Sequence, residues 1–462
     1  MLLISGGTVV TINRARDIIE RGAVLVDGDR IAAVGEAGDL ERRHPGAQRI
    51  DASSRTVIPG LINTHTHLIQ TLLKGLGDDK PLYAWIKEMT LPASVQATEE
   101  DCYAAALHGA LEAIHSGTTT VVDFTYVNHR PGLSEAIVRG LGDAGVRAIV
   151  ARGLVTQGAD LGVPPAMIET TDHALAECER LIKAHNRPDS RVQVGMSPCI
   201  LWMVDEPTLR ETRRLADRVG GIITIHLSET TFEVEQALKR YGRRELEVMD
   251  GVGFLGGDVL AVHCTKCTPR DIRVMKALDV KVSHNPCSNM YLASGIAPIP
   301  EMLLAGVTVG LATDGPASNN NQNMLHVLKF GALLHKVARE DATVVTAEKI
   351  LEMATIDGAR AIGREHDLGS LEPGKKADIA IMAFDNPYVA PVHNPVSALV
   401  YAALGNEAET VLIDGKIVMR ARRVTTVDEV SVRERAQAAA EALAQRSGVA
   451  HLARRRWRST GY

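Results

Sequence analysis

Thr56-Val-Ile-Pro-Gly-Leu-Ile-Asn-Thr-His-Thr-His67 is an apolar run that ends in two histidines one residue apart. On an extended strand residues i and i+2 share a face, so the imidazoles of His65 and His67 point the same way. Two neutral imidazoles on one face form half of a divalent-metal site, and a bound ion can lower the pKa of water until hydroxide is available near neutral pH. The stretch predicts a metal-activated hydrolase whose first strand carries ligands at its carboxyl end. The competing reading, two exposed strand histidines, is decided by whether ligand-type residues stand at the ends of other strands.

Seven more β-rich apolar runs follow, at residues 118–124, 147–153, 192–198, 222–229, 259–265, 281–286 and 308–315, alternating with helical segments. Eight strands separated by amphipathic helices, such as residues 135–144 and 174–185, predict an α/β fold: a (β/α)8 TIM barrel. Ser134 is the expected N-cap of the first of these helices. Before the barrel, strand patterns at residues 2–4, 8–12, 23–29 and 31–35 alternate with turns and predict a small antiparallel β unit. After it, residues 377–382 and 409–418, the second with an Asp-Gly turn, return to short strands expected to pair with that unit in a small β-sandwich. The predicted organisation is therefore 1–55 for the first part of the sandwich, 56–365 for the barrel, 366–425 for the second part and 426–462 for a C-terminal helix and tail. Residues 427–446 read as a charged, Ala-rich helix, and Arg454-Arg-Arg-Trp-Arg458 as a solvated or subunit-packing tail.

A formal charge of -5 over 462 residues makes no electrostatic case for nucleic acid, and no apolar run reaches the length of a membrane span. Met1-Leu-Leu-Ile-Ser-Gly-Gly7 runs straight into a strand pattern without the regions of a signal peptide, so the expected location is the cytoplasm. Cys102, Cys178, Cys199, Cys264, Cys267 and Cys287 are scattered and read as reduced. Cys264-Thr-Lys-Cys267 has zinc-ribbon spacing, but no second Cys-x-x-Cys supplies the other two ligands of a tetrahedral structural site.

Residues with metal or proton chemistry gather at the carboxyl ends of the predicted barrel strands, where this architecture builds active sites. His65 and His67 end strand one, His226 and Glu229 strand five, His263 strand six and Asp314 strand eight. Six such residues at four strand mouths do not read as scattered surface polar groups. The set Asn63-Thr-His-Thr-His67, Ile225-His-Leu-Ser-Glu229, Ala261-Val-His-Cys264, Ser283-His-Asn-Pro286 and Thr313-Asp-Gly315, with Leu368-Gly-Ser-Leu-Glu-Pro-Gly-Lys-Lys-Ala-Asp378 after the barrel, resembles the amidohydrolase superfamily over essentially the whole chain. Within it, the nearest likenesses are the 5-methylthioadenosine/S-adenosylhomocysteine deaminases, the 8-oxoguanine deaminases and the triazine hydrolases.

The resemblance implies one divalent ion, zinc in the first place with iron as the alternative, held by His65, His67, His226 and Asp314. The absence of a lysine at the end of strand four argues against a carbamate-bridged pair of metals. It further implies that Asp314 accepts the water proton, Glu229 delivers a proton to a ring nitrogen, and His263 orients the hydroxide and stabilises the oxyanion. The implied reaction is attack on a ring amidine carbon of a purine or adenosine derivative with release of ammonia. The alternative is displacement of chloride or alkylamine from an s-triazine-like ring.

The loop at residues 68–92 resembles the segment that covers the substrate in nucleoside deaminases, and in it Trp85 either stacks on a flat ring or anchors the core. Arg152, ending strand three, matches a substrate-side arginine, with a structural ion pair as its other reading. His284 either contacts the leaving amine or ring, or supports the site from behind. Residues 315–320, Ser318 among them, are expected beside the leaving group. Two departures stand out: Ala93-Ser94 occupies the place of a ribose-binding glutamate, and Ser197-Pro198-Cys199 that of a purine-contacting histidine. Cys199 instead resembles the 8-oxoguanine and triazine branches. The expected partner is a small heterocyclic molecule, and the expected assembly a homo-oligomer.

Overall fold

The computed structural model describes residues 1–454. Residues 455–462, which hold most of the Arg-rich tail, lie outside the described residues. The N-terminal segment forms β1 (Leu2–Val10), β2 (Ile18–Asp27), β3 (Arg30–Glu36), β4 (Gln48–Asp51) and β5 (Arg55–Pro59). The two runs expected at residues 2–4 and 8–12 are one strand, β1, whose register shifts across Ser5 and Gly7, where Gly6 takes a φ of +93°. The expected antiparallel unit is a mixed sheet, because β1 is antiparallel to β2 but parallel to β4 and β5.

Eight parallel strands follow: β6 (Leu61–Thr66), β7 (Thr118–Thr125), β8 (Arg147–Leu154), β9 (Val192–Pro198), β10 (Ile223–Leu227), β11 (Val259–His263), β12 (Lys281–His284) and β13 (Val309–Leu311), paired in chain order. β6, β7 and β8 are buried at every position, as parallel strands covered on both faces must be. The sheet closes on itself where the Asp314 N–H donates to the His65 carbonyl at 3.1 Å and Thr64 Oγ1 donates to the Leu311 carbonyl at 2.9 Å. This is the expected (β/α)8 barrel, with one change at its entrance. The run 56–67 splits into β5, in the small sheet, and β6, in the barrel. A Cβ on Gly60 would lie 2.1 Å from Thr119 Oγ1, so only glycine fits this crossing, and its N–H donates to the Asp378 carbonyl at 2.9 Å.

β14 (Ile379–Ala383), β15 (Ala408–Ile413), β16 (Lys416–Arg420) and β17 (Arg423–Val424) return the chain to the small sheet, β14 pairing with β5. Arg147 at the start of β8 locks the two units together. Its Nε and Nη2 donate to the two carboxylate oxygens of buried Asp378 at 2.8 and 3.0 Å.

The longer helices used below are α1 (Glu99–His115), α2 (Leu133–Ala144), α3 (Thr171–His185), α4 (Met324–Arg339) and α5 (Glu429–Arg446). α3 starts three residues before its hydrophobic pattern, because Thr170 caps it by accepting from the His173 N–H. Gly132, in the left-handed region, occupies the N-cap of α2 in place of Ser134, whose Oγ donates to Asn128 Oδ1 at 2.8 Å. The charged helix α5 is docked on the barrel. Arg435 Nη2 pairs with Glu100 at 2.6 Å, Arg446 pairs with Asp101, and Leu443 is fully buried against α1 and the turn Leu68–Leu73.

Candidate metal centre

The carboxyl ends of β6, β10, β11 and β13 deliver His65, His67, His226, His263 and Asp314 to one place. His67 Nδ1 lies 2.8 Å from the Phe124 carbonyl and His226 Nδ1 2.7 Å from the Cys199 carbonyl. A carbonyl only accepts, so each Nδ1 carries the proton and each Nε2 presents a lone pair. These two Nε2 atoms face one another at 3.2 Å, and His65, fully buried, has no hydrogen-bond partner at either ring nitrogen. Converging lone pairs without a donor are unfavourable unless a cation sits among them.

The spacing fits such an ion. Asp314 Oδ1 stands 3.4 Å from His65 Nε2 and 3.5 Å from His67 Nε2. Four donors about 2.0–2.1 Å from a tetrahedral Zn²⁺ would be roughly 3.3–3.4 Å apart. Two overlapping triads, His65 with His67 and His226, and His65 with His263 and Asp314, each bring their candidate ligand atoms within 4.8 Å.

Burial sets the charge states. It lowers the pKa of all four imidazoles, His67 to about 3, so they are neutral and able to bind an ion. Burial alone would raise the Asp314 carboxyl, but the surrounding His65, His263 and His67 hold it well below the usual carboxylate range. Ser288 Oγ and the Gly315 N–H donate to its oxygens at 2.6 and 2.5 Å and fix its orientation. Glu229 goes the other way. Burial, and then the nearby carboxyls of Glu233 and Asp314, raise its pKa well above the ordinary carboxylate range, which favours its protonated form. Ser294 Oγ donates to its Oε1 at 2.9 Å. His263 stands between the two carboxyls: its Nε2 is 3.5 Å from Glu229 Oε2 and 3.9 Å from Asp314 Oδ2, while its Nδ1 lies 2.9 Å from Asn289 Oδ1.

A cavity opens over this cluster, with His67, His226, Glu229, His263 and Asp314 at its floor and a mostly apolar wall that includes Leu82, Ile86, Met167, Ile200 and Trp202. Trp85, Cys199 and Ser318 line it as expected. Trp85 is 4% exposed and its Nε1 donates to the Ala317 carbonyl at 3.2 Å, the contacts of its core-anchor reading. Burial pushes the Cys199 thiol up to about 12, so its carbonyl, which orients His226, is its polar contribution.

Two residues expected beside the substrate stand elsewhere. Arg152 projects from β8 toward α3, where Nη2 pairs with Glu169 at 2.6 Å and Nη1 donates to the Gly153 carbonyl at 2.9 Å, in a separate cavity. His284 is fully buried behind the site, its Nε2 2.9 Å from His335 Nε2. Strand alternation places both on the outer face. The sequence reading missed Gln70 and Tyr126, which line the cavity and share a hydrogen bond of 3.1 Å, and the orienting residues Ser288, Asn289 and Ser294. Ser288 and Asn289 stand just past Ser283-His-Asn-Pro286, and Ser294 lies beyond the short helix Pro286–Tyr291.

Known proteins share this architecture. The model of the Amidohydrolase family matches residues 56–418, and that of an imidazolonepropionase-like composite domain of bacteria matches residues 22–47. A 5′-deoxyadenosine deaminase of Methanothermobacter thermautotrophicus is 40% identical over 430 residues, 92% of this chain and 95% of the relative. A 5-methylthioadenosine/S-adenosylhomocysteine deaminase of Thermococcus kodakarensis is 40% identical over 422 residues, 90% of this chain and 94% of the relative. Among solved structures, a zinc-bound adenosine deaminase of Xanthomonas campestris superposes with a TM-score of 0.90 at 30% identity, over 96% of this chain and 98% of that one. A zinc complex of atrazine chlorohydrolase from Arthrobacter aurescens superposes with a TM-score of 0.89 at 27% identity, over 95% and 100%.

Proposed function

This chain belongs to the amidohydrolase family, and we propose that it is a metal-dependent aminohydrolase that releases ammonia from a nitrogen heterocycle of the purine or adenosine-derivative class. In this reading His65, His67, His226 and Asp314 hold one divalent ion, zinc in the first place. Bound there, the ion supplies Lewis acidity that brings the pKa of water into the neutral range.

The chain's own groups supply the rest. Asp314, kept ionised and aimed by Ser288 and Gly315, accepts the proton of the attacking water. His263, tied at Nδ1 to Asn289, offers Nε2 as an acceptor that aligns that water. Glu229, whose proton burial helps retain, gives that proton to the ring nitrogen next to the attacked carbon, so negative charge does not accumulate on the ring. The apolar wall excludes water from the ring face, and Trp85 offers it a flat surface.

The observation that carries this reading is the placement of two carboxyls, Asp314 and Glu229, on either side of His263 in environments that shift the first down and the second up. Environments that push two carboxyl pKa values apart assign the acid and the base. The test is a screen of metal-loaded protein against purines, pterins, adenosine derivatives and triazines, with ammonia and chloride measured separately.

A second reading, displacement of chloride or alkylamine from an s-triazine-like ring, draws on the likeness to atrazine chlorohydrolase and on one stretch of the chain. Ala93 and Ser94 are buried and Ser94 Oγ donates to the Thr90 carbonyl at 2.6 Å, so this stretch offers the cavity no carboxylate to chelate a ribose diol.

We place the enzyme in the cytoplasm on its cysteine usage: six free thiols, five of them buried. No helix of the described residues is long and apolar enough to cross a membrane. The units that go with this reading are 1–55 and 366–425 for the small β layer, 56–365 for the barrel, and 426–462 for α5 and the residues after it. Strand pairing supports the division, with β5 straddling its first boundary. Assembly as a homo-oligomer completes the reading.

A further inference from the structure

α4 buries Leu325, Leu328, Ala332 and His335 against the barrel and leaves Phe330, Leu333 and Val337 on its other face, 46%, 42% and 73% exposed. Steps of three and four residues put these three on one stripe. Leu404, 43% exposed, adjoins the N-terminal end of the stripe, where its carbonyl accepts from His326 Nε2 at 2.8 Å. Leu304, 90% exposed, flanks the other end, on the short helix Ile299–Leu304 tied to α4 by the Arg339 to Glu301 pair at 2.5 Å. Three large apolar side chains on one surface helix, with Leu404 and Leu304 at its two ends, form a patch of the kind that marks an interface.

The charges around the patch say what covers it. Arg339 is engaged by Glu301, and Lys336 lies over the Tyr401 ring at 5.8 Å and donates to the Ala342 carbonyl. Lys329, near the N-terminal end of the stripe, and Glu340, just past its C-terminal end, have no ion-pair partner among the described residues. A copy of this face laid antiparallel, with Leu333 close to the two-fold axis, sets Phe330 against Val337 of the partner subunit. The same operation brings Lys329 toward Glu340 of the partner subunit, twice over. A parallel arrangement would oppose lysine to lysine. Self-complementarity of this sort is what an isologous two-fold contact requires.

We propose that the α4 face, centred on Leu333 and flanked by Leu304 and Leu404, is the two-fold interface of a homodimer of this chain. α4 directly follows the loop at residues 315–323 that carries Ser318 and Gln322, so the contact braces the segment that leads away from Asp314.

Sedimentation velocity of the metal-loaded full chain at micromolar concentration tests this. The wild type is a dimer, and Leu333→Asp is monomeric with its circular dichroism unchanged. Lys329→Glu and Glu340→Lys each weaken association on the order of tenfold or more, and the double exchange K329E/E340K recovers most of that loss. A monomeric wild type overturns the proposal and leaves the face to a different protein. A dimer indifferent to Leu333→Asp, or an exchange no tighter than either single reversal, also overturns it.

Discussion

The main-chain N–H of Asp314 donates to the carbonyl of His65 across 3.1 Å, so the seam that closes the barrel is the seam where two members of the donor cluster meet. The backbone bond holds the Asp314 carboxylate beside His65 Nε2 without the carboxylate having to make that contact itself. Asp314 sits at a positive φ of 62°, in the left-handed region that aspartate, like asparagine and glycine, enters more readily than most residues. The side chain is thereby turned toward the imidazoles of three other strands.

Asp314→Asn removes an anionic donor and the proton acceptor while keeping the shape. Turnover is expected to fall on the order of 10³-fold or more, with metal content below one equivalent by elemental analysis. A fully active variant would place the chemistry elsewhere in the barrel.

Glu229→Gln separates proton delivery from metal binding. The side chain is held by Ser294 and is not among the clustered donor atoms, so metal content stays near that of the wild type while turnover drops roughly 10²- to 10⁴-fold. Loss of metal together with rate would make Glu229 a ligand.

Glu245 carries a pH signature of stability. Burial, and then the nearby Glu233, push its pKa up to about 8, against 4.5 for an ordinary glutamate, while Ser228 Oγ donates to it at 2.6 Å. A raised folded-state pKa favours folding when the group is protonated. Its contribution is fully present below about pH 4 and is lost progressively as pH rises to about 8. Chemical denaturation across that window should show Glu245→Gln overtaking the wild type at the alkaline end, by on the order of a few kcal/mol. Parallel curves at every pH would mean that Glu245 is not buried as a neutral acid.

Arg147→Leu leaves Asp378 buried without its bidentate counter-ion between barrel and small sheet, which costs about 3–5 kcal/mol of stability. The cluster of His65, His67, His226, His263 and Asp314 is at the opposite end of the strands, so kcat measured below the unfolding transition stays unchanged. A loss of less than about 1 kcal/mol would assign the pair the weight of a surface ion pair.

Much of this arrangement was legible in the chain because strand periodicity is local. His65 and His67, two residues apart, share a face whatever surrounds them, and the eight apolar runs mark the barrel. The limits lie where geometry is non-local. Gly60 reads as part of one apolar run, yet Thr119 on the neighbouring strand forces a break between two sheets. Arg152 and His284 end barrel strands as His226 and His263 do, but the pleat turns them outward, and one residue of register decides between cavity and shell. The mixed pairing of β1 with β4 and β5 depends on contacts that no hydrophobic pattern encodes. Ser288, Asn289 and Ser294 act only through the partners the fold brings them, so their own residue types carry no signal.

The most direct measurement compares two initial rates on one preparation loaded with about one equivalent of zinc. Ammonia release is followed from an adenosine derivative or aminopurine, and chloride release from a chlorotriazine. With Glu229 as a neutral proton donor to ring nitrogen, ammonia is released faster, and chelation abolishes that rate until zinc is returned. Chloride release without ammonia from any purine, nucleoside or aminotriazine would contradict the account and establish displacement on a triazine-like ring in its place.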